Sequence, residues 1–180
     1  MLFAYADPPY PGRAYYYKRE SSYAGEVAHK ELVDRLVAQY PDGWALSTSS
    51  PSLADILPLC PEDVRVMAWV KPFASFKPNI NPAYAWEPVI VRGGRPRGRN
   101  VLTIRDWCSA NIALKKGLVG AKPETFCHWI LDVLNVLPED RVDDLYPGTS
   151  VLRRCVDQRN RQLRLGQHEP VLAQDELIPG

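Results

Sequence analysis

The chain has 180 residues, the length of one domain. Its 22 lysines and arginines nearly balance its 21 aspartates and glutamates, which excludes a uniformly basic protein of the histone type. The hydrophobic share of 46% excludes wholesale disorder, and no apolar run reaches the roughly 20 residues of a membrane span. No secretory signal is evident and the four cysteines form no Cys-x-x-Cys pair, so we expect a cytoplasmic protein with reduced thiols.

The first half of the chain alternates predicted strands with predicted helices. Residues 2–6 are apolar and are soon followed by a proline pair, which ends a buried strand because proline has no N–H group to donate to a sheet. Apolar residues at helical spacing predict a helix over 26–40. The pattern then predicts a strand over 44–47, a short helix over 52–57 and a strand over 64–70.

The second half contains a long stretch that is rich in loops. Within residues 71–115 we expect one strand, over 84–91, and a candidate substrate-recognition region. The clearest helix is predicted over 123–137, where apolar residues recur at i, i+3, i+4 and i+7. A strand over 142–146 and a helix through Val156 follow, and residues 159–180 are predicted to form a polar tail.

Strands that alternate with helices predict an α/β fold. We expect a Rossmann-like three-layer sandwich with a mostly parallel sheet. Residues 1–180 contain no internal repeat and no composition shift of the kind that marks a domain boundary, which predicts a single compact domain.

The sequence Asp7-Pro8-Pro9-Tyr10 follows the first predicted strand, and open α/β sheets bind ligands at the carboxyl ends of their strands. The prolines hold the backbone rigid, so the carboxylate and the neighbouring carbonyl groups face a fixed point beside an aromatic ring. Such a set of acceptors with a stacking surface suits a flat heterocycle that carries an amine. The alternative is that the prolines only end the strand and Asp7 caps the turn.

A second candidate ligand site runs from Asp143 to Thr149. It combines the end of a strand, a glycine turn and the start of a helix, a form that brings backbone N–H groups close to a ligand. The two carboxylates before the turn are suited to a hydroxyl or ammonium group. The alternative is an ordinary turn that needs one glycine.

Several short motifs resemble those of the permuted AdoMet-dependent amino-methyltransferases, the family of adenine-specific DNA and RNA methyltransferases with an Asp-Pro-Pro-Tyr motif. Asp7-Pro8-Pro9-Tyr10 is similar to their catalytic signature, and the sequence from Gly120 to Glu124 resembles their Lys-Pro segment. The sequence from Asp143 to Thr149 resembles their cofactor loop, with Ser150 where a second glycine is usual. The sequence from Tyr84 to Val91 resembles an aromatic-(His/Trp)-Glu strand of the same proteins.

The resemblance implies S-adenosylmethionine as the cofactor and a role for each matched residue. Asp7 and the carbonyl group of Pro8 are expected to accept the two N–H groups of an exocyclic amine, and Tyr10 to stack on the base. Lys122 is expected to contact the carboxylate of the cofactor, and Asp144 its ammonium group. The implied catalytic residues are Asp7, Pro8, Pro9 and Tyr10, and the implied cofactor-binding residues are Asp7, Lys122, Pro123, Asp144, Leu145, Tyr146, Gly148 and Thr149.

Local positive charge favours a nucleic-acid partner, with DNA preferred. Five arginines between positions 92 and 105 lie in a Gly/Arg-rich stretch of the kind that contacts phosphate, although an ordinary solvated loop is the alternative. The residues predicted to contact nucleic acid are Arg13, Asn79, Arg95, Arg97 and Arg99. A chain of this length leaves little room for a target-recognition domain, so a second copy or a partner subunit is expected to supply that role. Neither a membrane nor a metal ion is expected.

The favoured hypothesis is therefore methyl transfer from S-adenosylmethionine to the exocyclic amine of adenine in DNA or RNA. One alternative is a catalytically impaired relative that binds nucleic acid or a partner subunit. Another is methylation of a protein glutamine amide, although that family carries Asn where this chain has Asp7.

Overall fold

The computed structural model describes residues 1–18, 25–73, 81–112 and 121–164. Its strands are β1 (Leu2–Ala6), β2 (Gly43–Ser47), β3 (Arg65–Val70), β4 (Trp86–Gly93), β5 (Trp107–Ser109) and β6 (Arg141–Asp144). They form one sheet in the order β5-β3-β4-β2-β1-β6. β1 is parallel to β2 and β6, and β3 is parallel to β5, whereas β4 is antiparallel to β2 and β3. Five of the six described strands thus point the same way, which confirms the mostly parallel sheet.

Helices cover both faces of this sheet. They are α1 (His29–Gln39), the short α2 (Leu53–Ile56), α3 (Glu124–Val133) and α4 (Val151–Arg164). On one face α1 buries Leu32 and Leu36 in a cluster that includes Trp44 and Ile90. On the other face the apolar sides of α3 and α4 pack over the strands, in a cluster that includes Phe3, Tyr5, Phe126, Ile130, Leu152 and Cys155. The α/β three-layer sandwich is therefore confirmed.

The position of β1 explains its continuous run of apolar residues. It lies between β2 and β6, and four of its five residues are buried. A strand that is covered on both faces needs apolar side chains on both, so no alternation is visible in the sequence.

The direction of the strands decides which loops meet. The carboxyl ends of β1, β2, β3 and β6 lie at one edge of the sheet, here called the carboxyl edge. Because β4 runs the opposite way, its first residues lie at the carboxyl edge and its last residues at the opposite edge. At that opposite edge Gly93 pairs with Gly43. A Cβ atom on Gly93, which has a φ of +69°, would lie 2.9 Å from backbone atoms of Asp42 and Gly43, so only glycine fits there.

The structure departs from the predicted elements at several places. β4 runs from Trp86 to Gly93 instead of over 84–91, and β6 ends at Asp144 instead of at residue 146. Three further departures concern α3, α4 and β5. α3 ends at Val133 because Asn135 adopts a φ of 54° and the Val136 N–H bonds back to the Leu131 carbonyl, a helix-ending motif that the apolar spacing does not reveal. α4 continues to Arg164, past the predicted start of the polar tail. β5 was not predicted, since a three-residue strand with a single buried side chain shows no pattern.

Two further observations concern the thiols and the helices. Cys60, Cys108, Cys127 and Cys155 are all free. In the described ranges, no helix is both long enough and apolar enough to cross a lipid bilayer.

Candidate active site

Asp7 follows β1 directly and lies at the carboxyl edge of the sheet. The proline pair after it turns the chain, and the backbone N–H of Arg13 donates to the Tyr10 carbonyl at 2.8 Å. The hydroxyl group of Tyr10 donates to Oε2 of Glu87 at 2.8 Å. A carboxylate and an aromatic ring are thus held close to the end of one buried strand.

Lys122 brings the start of α3 to the same place. Its side chain is 8% exposed, and its Nζ atom lies 3.0 Å from Oδ1 of Asp7. The same ammonium group lies 3.2 Å from Oε2 of Glu87 and donates to the Tyr10 hydroxyl at 3.5 Å. It also lies 5.2 Å from the ring centre of Trp69, within range of a cation–π contact. Lys122 therefore joins the two carboxylates at the centre of the site.

Glu87 and Lys71 belong to this site, although neither was among the predicted site residues. Nζ of Lys71 lies 2.7 Å from Oε1 of Glu87, and both side chains are less than one-fifth exposed. Glu87 is the glutamate of the Tyr84–Val91 sequence, which resembles the aromatic-(His/Trp)-Glu strand, so the sequence did indicate that Glu87 could belong to the site. Lys71 has no such signal, because nothing in its neighbourhood along the chain shows that a carboxylate 16 positions later will face it.

Asp7, Lys122, Glu87 and Lys71 thus form a buried charge cluster in which negative and positive groups alternate. Burial raises the pKa of Asp7 despite the nearby ammonium group of Lys122. Burial also acts to raise the pKa of Glu87, but Lys122 and Lys71 outweigh it and hold that pKa at about 2. Burial acts to lower the pKa of Lys122, but Asp7 leads the neighbours that raise it well above its usual value. Lys122 is therefore held as a cation and Glu87 as an anion at neutral pH.

The second predicted ligand site lies next to the first. β6 is the parallel neighbour of β1, with Asp144 opposite Tyr5, and the Leu145 N–H donates to the Tyr5 carbonyl at 3.0 Å. Burial raises the pKa of Asp144 to about 6, and the charge of Asp7 adds to the rise. Oδ1 of Asp144 accepts the N–H of Tyr146 at 3.3 Å. The two candidate places therefore lie side by side at the carboxyl edge.

The turn between β6 and α4 contains two residues in the left-handed region. Gly148 has a φ of 39° and Ser150 a φ of 56°. Glycine adopts this region without steric cost, whereas other residues rarely do. The position at which the family usually has its second glycine is thus left-handed here as well, although it carries a serine.

A cavity of about 410 Å³ lies beside β6. Its lining includes Asp143, Asp144, Leu145 and Pro147, together with Arg35 and Tyr40 of the α1 region and Ser150, Leu152, Arg153 and Val156 of the α4 region. Its volume is within the range of small-molecule sites. Among the described residues, no group of three His, Cys, Asp or Glu side chains is placed to hold a metal ion.

The arginines that were predicted to contact nucleic acid lie in different parts of the molecule. Arg13 is exposed and follows Tyr10 at the carboxyl edge, where its side chain donates to the Tyr15 hydroxyl at 3.4 Å. Arg95 and Arg97 follow β4 and are thus at the opposite edge, where Arg95 pairs with Asp140 and Arg97 donates to the carbonyl of Asp132. Arg99 is exposed in the same loop. Asn79 and Gly120 lie outside the described residues.

Comparison with known proteins identifies solved structures with a similar fold. No family model and no curated protein matches the chain. Among solved structures, the crystal structure of an M1.HpyAVI–SAM complex matches with a TM-score of 0.61 at 14% identity, covering 89% of this chain and 78% of that chain. The crystal structure of M1.HpyAVI itself matches with a TM-score of 0.56 at 13% identity, covering 89% and 76%. At these identities the likeness concerns the architecture, and the chain has a methyltransferase fold.

Proposed function

We propose that the protein transfers a methyl group from S-adenosylmethionine to the exocyclic amine of adenine in nucleic acid, with DNA as the favoured substrate. The observation that carries the proposal is the meeting of two loops at the carboxyl edge. The loop of Asp7 and Tyr10 follows β1, and the loop of Asp144 follows its neighbour β6. One supplies acceptors for an amine, and the other supplies an acidic cavity wall for a cofactor.

The acceptor loop addresses the weak nucleophilicity of the adenine amine. The nitrogen lone pair is delocalised into the ring, so the amine attacks poorly unless its geometry changes. Asp7 and the carbonyl group of Pro8 accept the two N–H groups and favour a pyramidal nitrogen, while Tyr10 stacks on the base. The rigid proline pair holds these groups in place before the substrate arrives, which lowers the entropic cost of the reaction.

The cavity beside β6 is suited to S-adenosylmethionine, which supplies an electrophilic methyl group. Its volume is adequate and its lining includes Asp144 and Leu145, although none of the residues 7–10, so we place only part of the cofactor in it. One carboxylate oxygen of Asp144 accepts the Tyr146 N–H, and we assign the other to an ammonium group. The remaining loop residues, Leu145, Tyr146, Gly148 and Thr149, are proposed to line the cofactor with backbone and side chains. M1.HpyAVI, which shares the fold, was crystallised with SAM.

Lys122 and Pro123 place the start of α3 against the acceptor loop. The ammonium group of Lys122 contacts Asp7, and we assign it to orienting that carboxylate. Its contact with the cofactor carboxylate, which the resemblance implies, stays a prediction.

The nucleic acid must present an unpaired base to this site. A base inside a duplex cannot reach the end of β1 unless it is flipped out or the substrate is single-stranded. Arg13 follows Tyr10 and is proposed to contact phosphate beside the target base. Phosphate contacts of Arg95, Arg97 and Arg99, and target recognition by a second copy or a partner subunit, stay predictions.

The decisive experiment follows labelled methyl groups from S-adenosylmethionine to DNA, RNA and a glutamine-containing peptide. We expect transfer to adenine in DNA, and we expect Asp7→Ala to abolish it while cofactor binding, measured by calorimetry, is retained. Asp34→Ala is the matched control, because Asp34 is an exposed carboxylate on α1 that pairs only with the exposed Lys30 among the contacts described.

Unchanged transfer by Asp7→Ala would refute the catalytic assignment. A folded protein that shows no heat with S-adenosylmethionine at millimolar concentration would instead favour the binding-only alternative. Transfer to the peptide and not to the nucleic acids would favour the glutamine-amide alternative.

A further inference from the structure

Lys71 is a largely buried lysine whose position is fixed by its backbone and its side chain. It follows β3 at the carboxyl edge, where its N–H donates to the Ala85 carbonyl at 2.8 Å. Its side chain is 12% exposed, and its Nζ atom lies 5.4 Å from the ring centre of Trp69. Among the described residues it makes no hydrogen bond or ion pair with Asp7 or Tyr10, so any effect on the reaction must pass through another residue.

That residue is Glu87, whose two carboxylate oxygens have different partners. Oε1 accepts Lys71 at 2.7 Å. Oε2 accepts the Tyr10 hydroxyl at 2.8 Å and the Lys122 ammonium at 3.2 Å. A carboxylate shared in this way cannot rotate without losing at least one charge-assisted hydrogen bond. Lys71 therefore fixes the position and the plane of the Glu87 carboxylate relative to the acceptor loop.

We propose that Lys71 is a positioning residue, which acts through Glu87 to fix the ring of Tyr10 and the ammonium group of Lys122 beside Asp7. The inference rests on the proposed function, because it assigns Lys71 to the stacking surface and the acceptor carboxylate of that same site. The catalytic groups remain Asp7, Pro8 and Tyr10.

The charge balance of the cluster predicts what removal of Lys71 does. Glu87 is faced by Lys71 from the end of β3, by Lys122 from the start of α3 and by Tyr10 and Asp7 from the loop after β1. Without Lys71, two carboxylates share one cation, so the pKa of Glu87 rises from about 2. Once protonated, Glu87 loses its ion pair with Lys122 and weakens the hold on Tyr10.

The test compares Lys71→Met, which keeps the length of the side chain without its charge, with Lys71→Arg, which keeps the charge. Carboxyl carbon NMR, assigned with Glu87→Gln, measures the titration of Glu87 without any cofactor. We expect the pKa to rise in Lys71→Met and to return towards the wild-type value in Lys71→Arg. Lys30→Met, on the exposed surface of α1, is the control.

The kinetic arm uses the same variants in methyl transfer. We expect kcat to fall on the order of 10²-fold in Lys71→Met, as for a small misplacement of reacting groups. KM for S-adenosylmethionine should change much less than kcat, the acid limb of the pH profile should move to higher pH, and Lys71→Arg should recover most of the rate.

An unchanged Glu87 titration, or a folded Lys71→Met protein with wild-type kcat and pH profile, would overturn the inference. If the wild-type protein transfers no methyl group to any acceptor, the proposed function fails instead. The NMR titration then decides by itself whether Lys71 holds Glu87.

Discussion

At the scale of single residues, two adjacent carboxylates at the end of β6 have opposite environments. Asp143 accepts Arg141 at 2.7 Å and the Tyr40 hydroxyl at 3.0 Å, which hold its pKa below the usual value although burial acts to raise it. Asp144 faces the site, where burial and the charge of Asp7 raise its pKa to about 6. The first carboxylate is stabilised by the fold in its charged form, and the second is not.

Asp144→Asn is expected to stabilise the protein at high pH. Because the pKa of Asp144 in the fold lies above its ordinary value of 3.8, ionisation weakens the fold as the pH rises from about 4 to about 6. The asparagine keeps an oxygen for the Tyr146 N–H. Urea unfolding should show a gain of about 1 kcal/mol at pH 8, reduced from the full value by solvent screening, and no gain at pH 3.

Asp143→Asn is the matched control, with the opposite sign. Since the pKa of Asp143 is lowered by its partners, its charge stabilises the fold above pH 4, and this contribution is lost as the pH falls. The variant should therefore be less stable than the wild type at pH 8. A loss of stability at pH 8 in both variants would show that Asp144 is stabilised in its charged form.

At the scale of elements, the reversal of β4 gives the Gly/Arg-rich loop a structural role. β4 carries the loop to the edge opposite the site, where Arg95 donates to Oδ1 of Asp140 at 2.7 Å. The side chain of Asp140 is fully buried and also accepts the N-terminal ammonium at 2.7 Å and the Leu137 N–H at 2.8 Å. Asp140 thus connects the loop after β4 to the residues directly before β1 and β6.

Arg95→Ala should destabilise the protein by about 2 kcal/mol, because it removes charge-assisted hydrogen bonds from a buried carboxylate that keeps the N-terminal ammonium as its other cation. Urea unfolding at pH 7 measures the change. Arg99→Ala is the control and should leave stability unaltered, since the side chain is exposed. The control also tests the predicted phosphate contact: if Arg99 binds DNA, the salt dependence of affinity should fall by about one unit of slope. Equal stability of Arg95→Ala and Arg99→Ala would contradict the structural role of Arg95.

At the scale of the whole molecule, the site is assembled from both ends of the described chain. Asp7 follows the first strand and Asp144 the last, and the parallel pairing of β1 with β6 places them at one edge. A ligand at this edge contacts the loops after β1 and β6, two strands that separate only when the protein unfolds. Binding should therefore raise the stability of the entire fold.

S-adenosylmethionine at 100 times its Kd should add about 2.7 kcal/mol to the free energy of unfolding. Thermal unfolding with and without the ligand measures this as a rise in Tm. The rise should largely persist in Asp7→Ala and shrink in Asp144→Ala, because Asp7 is assigned chiefly to the amine and Asp144 to the ammonium group of the cofactor. Equal rises in the two variants would contradict that division of roles.

The local pattern of the sequence was sufficient for the elements that carry the site. The apolar run 2–6 and the prolines after it predicted β1 and its end, and the periodic apolar residues predicted α3. The predicted elements differ from the observed ones where hydrogen bonds that the apolar pattern does not show decide where an element ends or whether it forms. The left-handed backbone of Asn135 ends α3 before the predicted position. β5 forms because its residues pair with the exposed side of β3.

The sequence by itself determined which residues end the buried strands, because proline, glycine and apolar spacing act on neighbours along the chain. It thereby placed Asp7 and Tyr10 in the turn after the first strand, and Asp144 in the strand that leads to the glycine turn. Only the tertiary structure decided the partners of the charged residues. Lys71 meets Glu87, and Arg95 meets Asp140 instead of solvent, because strand order and the reversal of β4 set those distances. An ion pair depends on separation in space, and the charge pattern of a single segment is the same whether its partner is a phosphate or a buried carboxylate.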